Sequence, residues 1–292
     1  MNKKQIERGL WMVSLLVWTA CAPQQQRPER TISVSIEPLR YFVEALADQR
    51  FHVAVMVPKG ASPESYDPTP RQLVDLGRSE AYLQVGHLGF ERAWMERLQA
   101  GAPAMRVYDL SDGIDLIHEE EGEEHAGHVH EGGVEPHIWT STVNAALMAE
   151  HVCEALCRLD SANAPFYCHR LDSLQQVIRQ TDQAVRNLLA DADRAFLIYH
   201  PSLSYFARDY GLEQIPIEKA GKEPSPAYLK ELIDLCRTKQ VRVVFVQPEF
   251  DRRHAELIAE QTQTQVCPIH PLAYDWADEM LAVARALHHA KP

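Results

Sequence analysis

The stretch from Ala164 to Leu189 sets the terms on which the rest of the chain must fold. It places Leu171, Leu174, Val177, Ile178, Val185 and Leu188 on one stripe broken by polar residues at helical period, so it reads as a single amphipathic helix. At 1.5 Å per residue that helix spans roughly 35–40 Å, long enough to join two domains along one side. Ser141 to Leu159, just before it, reads as a second long helix.

On both sides of this helical middle, short β-rich runs alternate with helical patterns. Before it, Thr31 to Ile36, His52 to Val57, Ala81 to Val85 and Ala104 to Tyr108 read as strands, with helices over Pro38 to Ala47, Pro70 to Ser79 and Phe90 to Gln99. After it, strands are expected at Ala195 to Tyr199, Gln214 to Ile217, Val241 to Val246 and Gln265 to Ile269. Helices are expected there at Ser202 to Tyr210, Pro226 to Lys239, Arg253 to Thr262 and Asp275 to His289. Strand–helix–strand at this spacing builds parallel sheets covered by helices. The expected fold is therefore α/β: two lobes, each a mainly parallel sheet flanked by helices, joined by one long helix. Residues 31–160 form the first lobe, 161–190 the linking helix and 191–292 the second lobe. Such sheets present ligands at the carboxyl ends of their strands.

Met1 to Cys21 stands outside this pattern. Lys3, Lys4 and Arg8 precede an apolar run, Leu10 to Trp18, too short to span a bilayer, and Thr19-Ala20-Cys21 puts small residues before a cysteine. Residues 1–20 read as a bacterial lipoprotein signal, Cys21 as its lipidation site and residues 21–30 as a tether, which places the protein outside the cytoplasm on a membrane. The net charge of −12 argues against nucleic-acid partners and favours cationic ligands. Five later cysteines, Cys153, Cys157, Cys168, Cys236 and Cys267, are an odd number. Cys153 and Cys157 suit small core positions one helical turn apart, and Cys236 and Cys267 are the pair that could bridge within one domain.

The most biased segment, His118 to Trp139, holds five of the fourteen histidines and seven glutamates, with no Lys or Arg. Its first part, residues 118–133, is too polar to bury and reads as an exposed loop in which His118, His125, His128 and His130 form a low-affinity metal-collecting set. Its tail, Glu135-Pro-His-Ile-Trp139, is different, because it is one of four places where a ligand side chain is expected at the junction of a strand end and a turn, beside a proline. The others are Pro63-Glu64, His200-Pro201 and His270-Pro271. Two fall in each half, and all are expected at the cleft side of the sheets.

These segments carry a family resemblance. Pro63-Glu-Ser-Tyr-Asp-Pro68, Glu135-Pro-His-Ile-Trp139, Tyr199-His-Pro-Ser-Leu-Ser-Tyr-Phe206, Glu223-Pro-Ser-Pro226 and His270-Pro-Leu272 occur in the order found in the zinc- and manganese-type solute-binding proteins of ABC metal importers, the cluster A-I group, which the chain resembles from Thr31 onward. The resemblance implies two lobes joined by a backbone helix, a metal ion held between them, and delivery to a membrane permease with its ATPase subunit by a monomeric binding protein. Two ligand positions depart from the family pattern. Glu64 stands where the family has His, and His270 stands where it has Asp or Glu. Together the exchanges keep one carboxylate and three imidazoles, so Glu64, His137, His200 and His270 are the expected metal ligands, with Asp67 or Asp275 as the carboxylate should Glu64 turn outward. Three nitrogens and one oxygen in a closed site suit Zn²⁺ over Mn²⁺. Neutral imidazoles are needed, so affinity is expected to fall below about pH 6.5. A manganese- or iron-binding homologue, a secreted zinc hydrolase and a surface metal-buffering adhesin are the rival readings; HExxH, GxxxxGK[ST] and GxGxxG are all absent.

Overall fold

A computed structural model describes residues 30–118, 133–218 and 222–289. The lipidation site Cys21 and the loop residues His125, His128 and His130 lie outside the described residues.

The first lobe runs β1 (Thr31–Val34), α1 (Glu37–Ala47), β2 (His52–Val55), α2 (Pro70–Leu76), β3 (Ala81–Gln84), α3 (Gly89–Gly101) and β4 (Arg106–Asp109). Its four strands are all parallel, in the order β2-β1-β3-β4. After a 3-10 turn at Ile138–Thr140 come α4 (Thr142–Leu159) and α5 (Ala164–Leu189). The second lobe runs β5 (Ala195–Ile198), α6 (Ser204–Tyr210), β6 (Glu213–Pro216), α7 (Pro226–Lys239), β7 (Val243–Val246), α8 (Arg253–Thr262), β8 (Gln265–Pro268) and α9 (Trp276–His289). Its parallel sheet has the order β6-β5-β7-β8, the same path as the first.

Local chemistry explains the element starts. Thr69 caps α2, accepting from the Gln72 amide at 3.4 Å, with Pro70 supplying the helical φ of the first turn. Ser225 and Pro226 repeat the device on α7. All four residues of β5 and of β7 are buried, which is why these strands read as unbroken apolar runs rather than alternating ones. Several strands stop one or two residues short of the sequence expectation, although single ladder bonds continue beyond them. The Met56 amide donates to the Val34 carbonyl at 2.9 Å and the Tyr199 amide to Phe245 at 2.9 Å.

The long helix α5 buries Tyr167, Leu174, Ile178, Thr181, Val185 and Leu189 and packs against α4, α1 and α9, so it touches both lobes. Val177, expected on the buried stripe, is 38% exposed, and Thr181 takes the place on that face. The lobes also meet directly. The Trp139 indole donates to the Pro271 carbonyl at 2.8 Å and the Trp276 indole to the Trp139 carbonyl at 2.6 Å. Tyr274 donates to Glu44 at 2.8 Å, and Phe42 packs against Trp276. One apolar cluster consequently runs from Ile32 and Phe42 of the first lobe through α5 to Phe245 and Trp276 of the second.

Cys236 and Cys267 do not pair. Alternate residues of β7 enter different apolar clusters, and Cys267 lies with Phe245 in one while Cys236 lies with Val244 in the other. The two thiols are thus on opposite faces of one sheet, where no disulfide can join them. His288, which reads in the sequence as part of a frayed helix end, is half-buried and its ring nitrogen lies 2.9 Å from the Leu188 carbonyl. Among the described residues no helix is long and apolar enough to cross a membrane.

Candidate metal centre between the lobes

Three of the four expected ligands converge. Glu64 comes from the loop between β2 and α2, His137 from the segment entering the 3-10 turn, and His200 from the turn just past the carboxyl end of β5. His200 Nε2 lies 3.0 Å from Glu64 Oε1 and 3.2 Å from His137 Nε2, and His137 Nε2 lies 3.5 Å from Glu64 Oε1. Donors at the corners of a tetrahedron with zinc bonds of 2.0–2.2 Å would stand about 3.3–3.6 Å apart, so the three atoms already have close to the spacing of one face of that figure. Both imidazoles are nearly fully buried, and Glu64 is half-buried.

Each imidazole is oriented from behind by a carboxylate. His137 Nδ1 contacts Glu135 Oε1, which also accepts from the His137 amide at 3.0 Å, while Glu135 Oε2 accepts from Ser204 at 2.9 Å. His200 Nδ1 lies 2.5 Å from Glu218 Oε1. A carboxylate at Nδ1 holds the proton there and turns the Nε2 lone pair toward the centre. Gln247 clamps the His200 backbone from both sides, accepting from its amide at 3.3 Å and donating to its carbonyl at 2.5 Å. Phe250 stacks on the His200 ring at 5.0 Å, and Trp139 lies against His137 at 5.1 Å.

The two imidazoles differ in charge preference. Burial lowers the pKa of His137, against the opposing pull of Glu135. At His200 burial acts the same way, but the hydrogen bonds to Glu218 and Glu64 outweigh it and push the group up to about 10. A proton held by His200 in the metal-free site is thus one that a bound cation displaces.

His270 stands apart from the three. Its residue is exposed in the loop after β8, and its amide donates to Glu279 at 2.7 Å. Its neighbours Pro271 and Leu272 do line the cavity at the centre, together with Pro63, Trp139 and Glu249. Glu249, just past β7, has its pKa raised by burial, countered by the nearby His270 and His200. His118 is exposed and forms an isolated antiparallel bridge with Val134. Asp67 is exposed, and Glu64 faces inward. His137 does not follow a sheet strand, as the sequence suggests it should; the extended segment before it is pinned by the Glu135 amide on the Ile117 carbonyl at 3.0 Å. Glu218 and Gln247 escape the sequence reading, although each sits at the carboxyl end of a strand, where that reading places ligands.

Two lobes of one strand order, clasped along a long helix and sharing a donor cluster between them, define a two-lobed solute-binding protein. The chain belongs to the ZnuA family, zinc-uptake complex component A periplasmic, which it matches over residues 32–290. A crystal structure of a ZnuA deletion mutant with zinc bound superposes with a TM-score of 0.82 at 34% identity, covering 91% of this chain and all of that one (100%). The zinc-binding lipoprotein AdcA of Streptococcus pneumoniae is 23% identical over 286 residues, or 92% of this chain, but the chain spans only about half (55%) of that relative's length. The manganese-binding lipoprotein MntA of Halalkalibacterium halodurans is 21% identical over 240 residues, 80% of this chain and 76% of the relative. Metal binding is common to these relatives, and their named metals differ.

Proposed function

We propose that the protein captures Zn²⁺ between its lobes and hands it to a membrane permease energised by an ATPase subunit. In this reading the chain is anchored outside the cytoplasm through Cys21, acts as a monomer and catalyses no reaction. The observation that carries it is the triangle of Glu64 Oε1, His137 Nε2 and His200 Nε2, with sides of 3.0, 3.2 and 3.5 Å, drawn from both lobes. Zinc is favoured over manganese because Glu135 and Glu218 are engaged at the imidazole Nδ1 atoms, which leaves nitrogen as the majority donor. His270 supplies the fourth ligand by turning its exposed side chain inward over Pro271, and Glu249 is its competitor for that position. His118 and residues 119–133 collect zinc weakly.

Equilibrium dialysis with zinc tests this on the full chain, on His137→Ala, on His270→Ala, on Glu249→Gln and on a variant lacking Gly122 to Gly133. The tightest site should vanish with His137→Ala, weaken with His270→Ala and survive the deletion. A tight site lost with the deletion and kept in His137→Ala would replace capture by surface buffering. Weakening by Glu249→Gln rather than His270→Ala would move the fourth ligand.

A further inference from the structure

A second group of metal-ligating side chains lies outside the interlobe centre. Cys153 and Cys157 stand one turn apart on α4, and Cys168 faces them from the second turn of α5. The three sulfurs all lie within 4.8 Å of one another, and no histidine or carboxylate joins the group among the described residues. None of the three is in a disulfide. Cys153 is buried, Cys157 half-buried and Cys168 exposed, so the group has an apolar floor and an opening to solvent. In sequence the α4 pair suits small core positions; the turn at Ser161–Asn163 is what folds Cys168 back onto it.

We propose that Cys153, Cys157 and Cys168 form a second, thiolate metal site that takes a soft monovalent cation of the cuprous class. Three sulfurs without a nitrogen or oxygen partner select for softness, and they leave zinc one ligand short of its usual four. A disulfide would use two of the sulfurs and strand the third, whereas a three-coordinate cation uses all of them. Binding is ligand exchange without electron transfer: the S–H bonds break, the protons go to solvent and the sulfur lone pairs bind the metal.

The test is an anaerobic titration of the reduced full chain, first given one equivalent of zinc, with Cu(I) in competition with bicinchoninate. Uptake of about one copper per chain is expected, with ultraviolet thiolate-to-copper absorption. Cys168→Ser, at an exposed position, should abolish that uptake while zinc binding at the interlobe centre is unchanged. A His137→Ala/His200→Ala variant should keep it. Copper uptake by Cys168→Ser equal to that of the parent would overturn the proposal, because the histidine-rich stretch and the other thiols are intact in that variant. So would a cross-link between Cys168 and either α4 cysteine, found by peptide mass mapping in protein purified without reductant.

Discussion

Glu218 and Glu135 stand behind the imidazoles rather than among the groups that face the centre, so their expected effect on metal affinity runs through the rings they hold. Each holds an imidazole Nδ1, at 2.5 Å in the case of Glu218 and His200. Replacing such a carboxylate typically costs about 10–100-fold in affinity, because the ring loses both its orientation and part of its basicity. Glu218→Gln keeps the shape and can still accept a hydrogen bond through its amide oxygen, so zinc affinity should fall toward the lower end of that range. Isothermal titration in a competing chelator reads it, and an unchanged affinity would show that burial and Gln247 alone orient His200. These carboxylates were hard to see in the sequence for different reasons. Glu135 is two residues from its histidine but reads as part of a motif, and Glu218 is separated from His200 by an intervening helix and strand.

At the scale of elements, the N-terminus of α3 positions the Glu64 loop. A Cβ at Gly89 would come within 2.4 Å of the Glu64 carbonyl oxygen, so the helix start and the ligand loop touch backbone to backbone. Gly89→Ala should push that loop away and weaken zinc binding, while circular dichroism stays native; retained affinity would show that the loop can give way freely. Two residues on, fully buried Glu91 accepts from the amides of Val85 at 2.9 Å and Gly86 at 2.8 Å, from Leu88 at 3.3 Å and from Ser35. Burial outweighs these bonds and raises its pKa to about 7. Because the folded value lies above the unfolded one, the native state holds this proton more tightly. The associated stability is complete below about pH 4.5 and is lost as pH rises through about 7, amounting to ~3 kcal/mol. Urea denaturation at pH 5 and pH 8 should show that loss in the parent and a flatter profile in Glu91→Gln. Helices and strands of this kind were legible because the hydrophobic period changes from one to the next, down to the shared limits of α5, α7 and α8. Strand order, the buried carboxylate at Glu91 and the meeting of three cysteines were not, since each depends on partners brought together only by tertiary packing.

The whole molecule is built to close little. In a hinge protein the lobes meet across solvent, but here the apolar cluster is continuous between them, and the Trp139 and Trp276 indoles each donate to a backbone carbonyl of the other lobe, at 2.8 and 2.6 Å. Tyr205 of α6 adds a bond to the Glu135 carbonyl at 2.8 Å, and Arg208 one to the Asp115 carbonyl at 2.7 Å. Opening the lobes widely would expose this packed apolar surface to water and break indole hydrogen bonds worth about 0.5–1.5 kcal/mol each. The long helix α5, held by elements of both lobes along its buried stripe, adds a stiff strut rather than a flexible linker. Zinc should therefore shift side chains and the His270 loop while the lobes hold their relative pose, in the manner of partners whose backbone moves by about 1 Å or less. Small-angle scattering of the metal-free and zinc-loaded chain should give superimposable profiles. Hydrogen exchange should meanwhile slow on zinc binding around Glu64, His200 and His270. A scattering change of the size made by a clamshell closure would mean that the interlobe tryptophan contacts break and reform in each transport cycle.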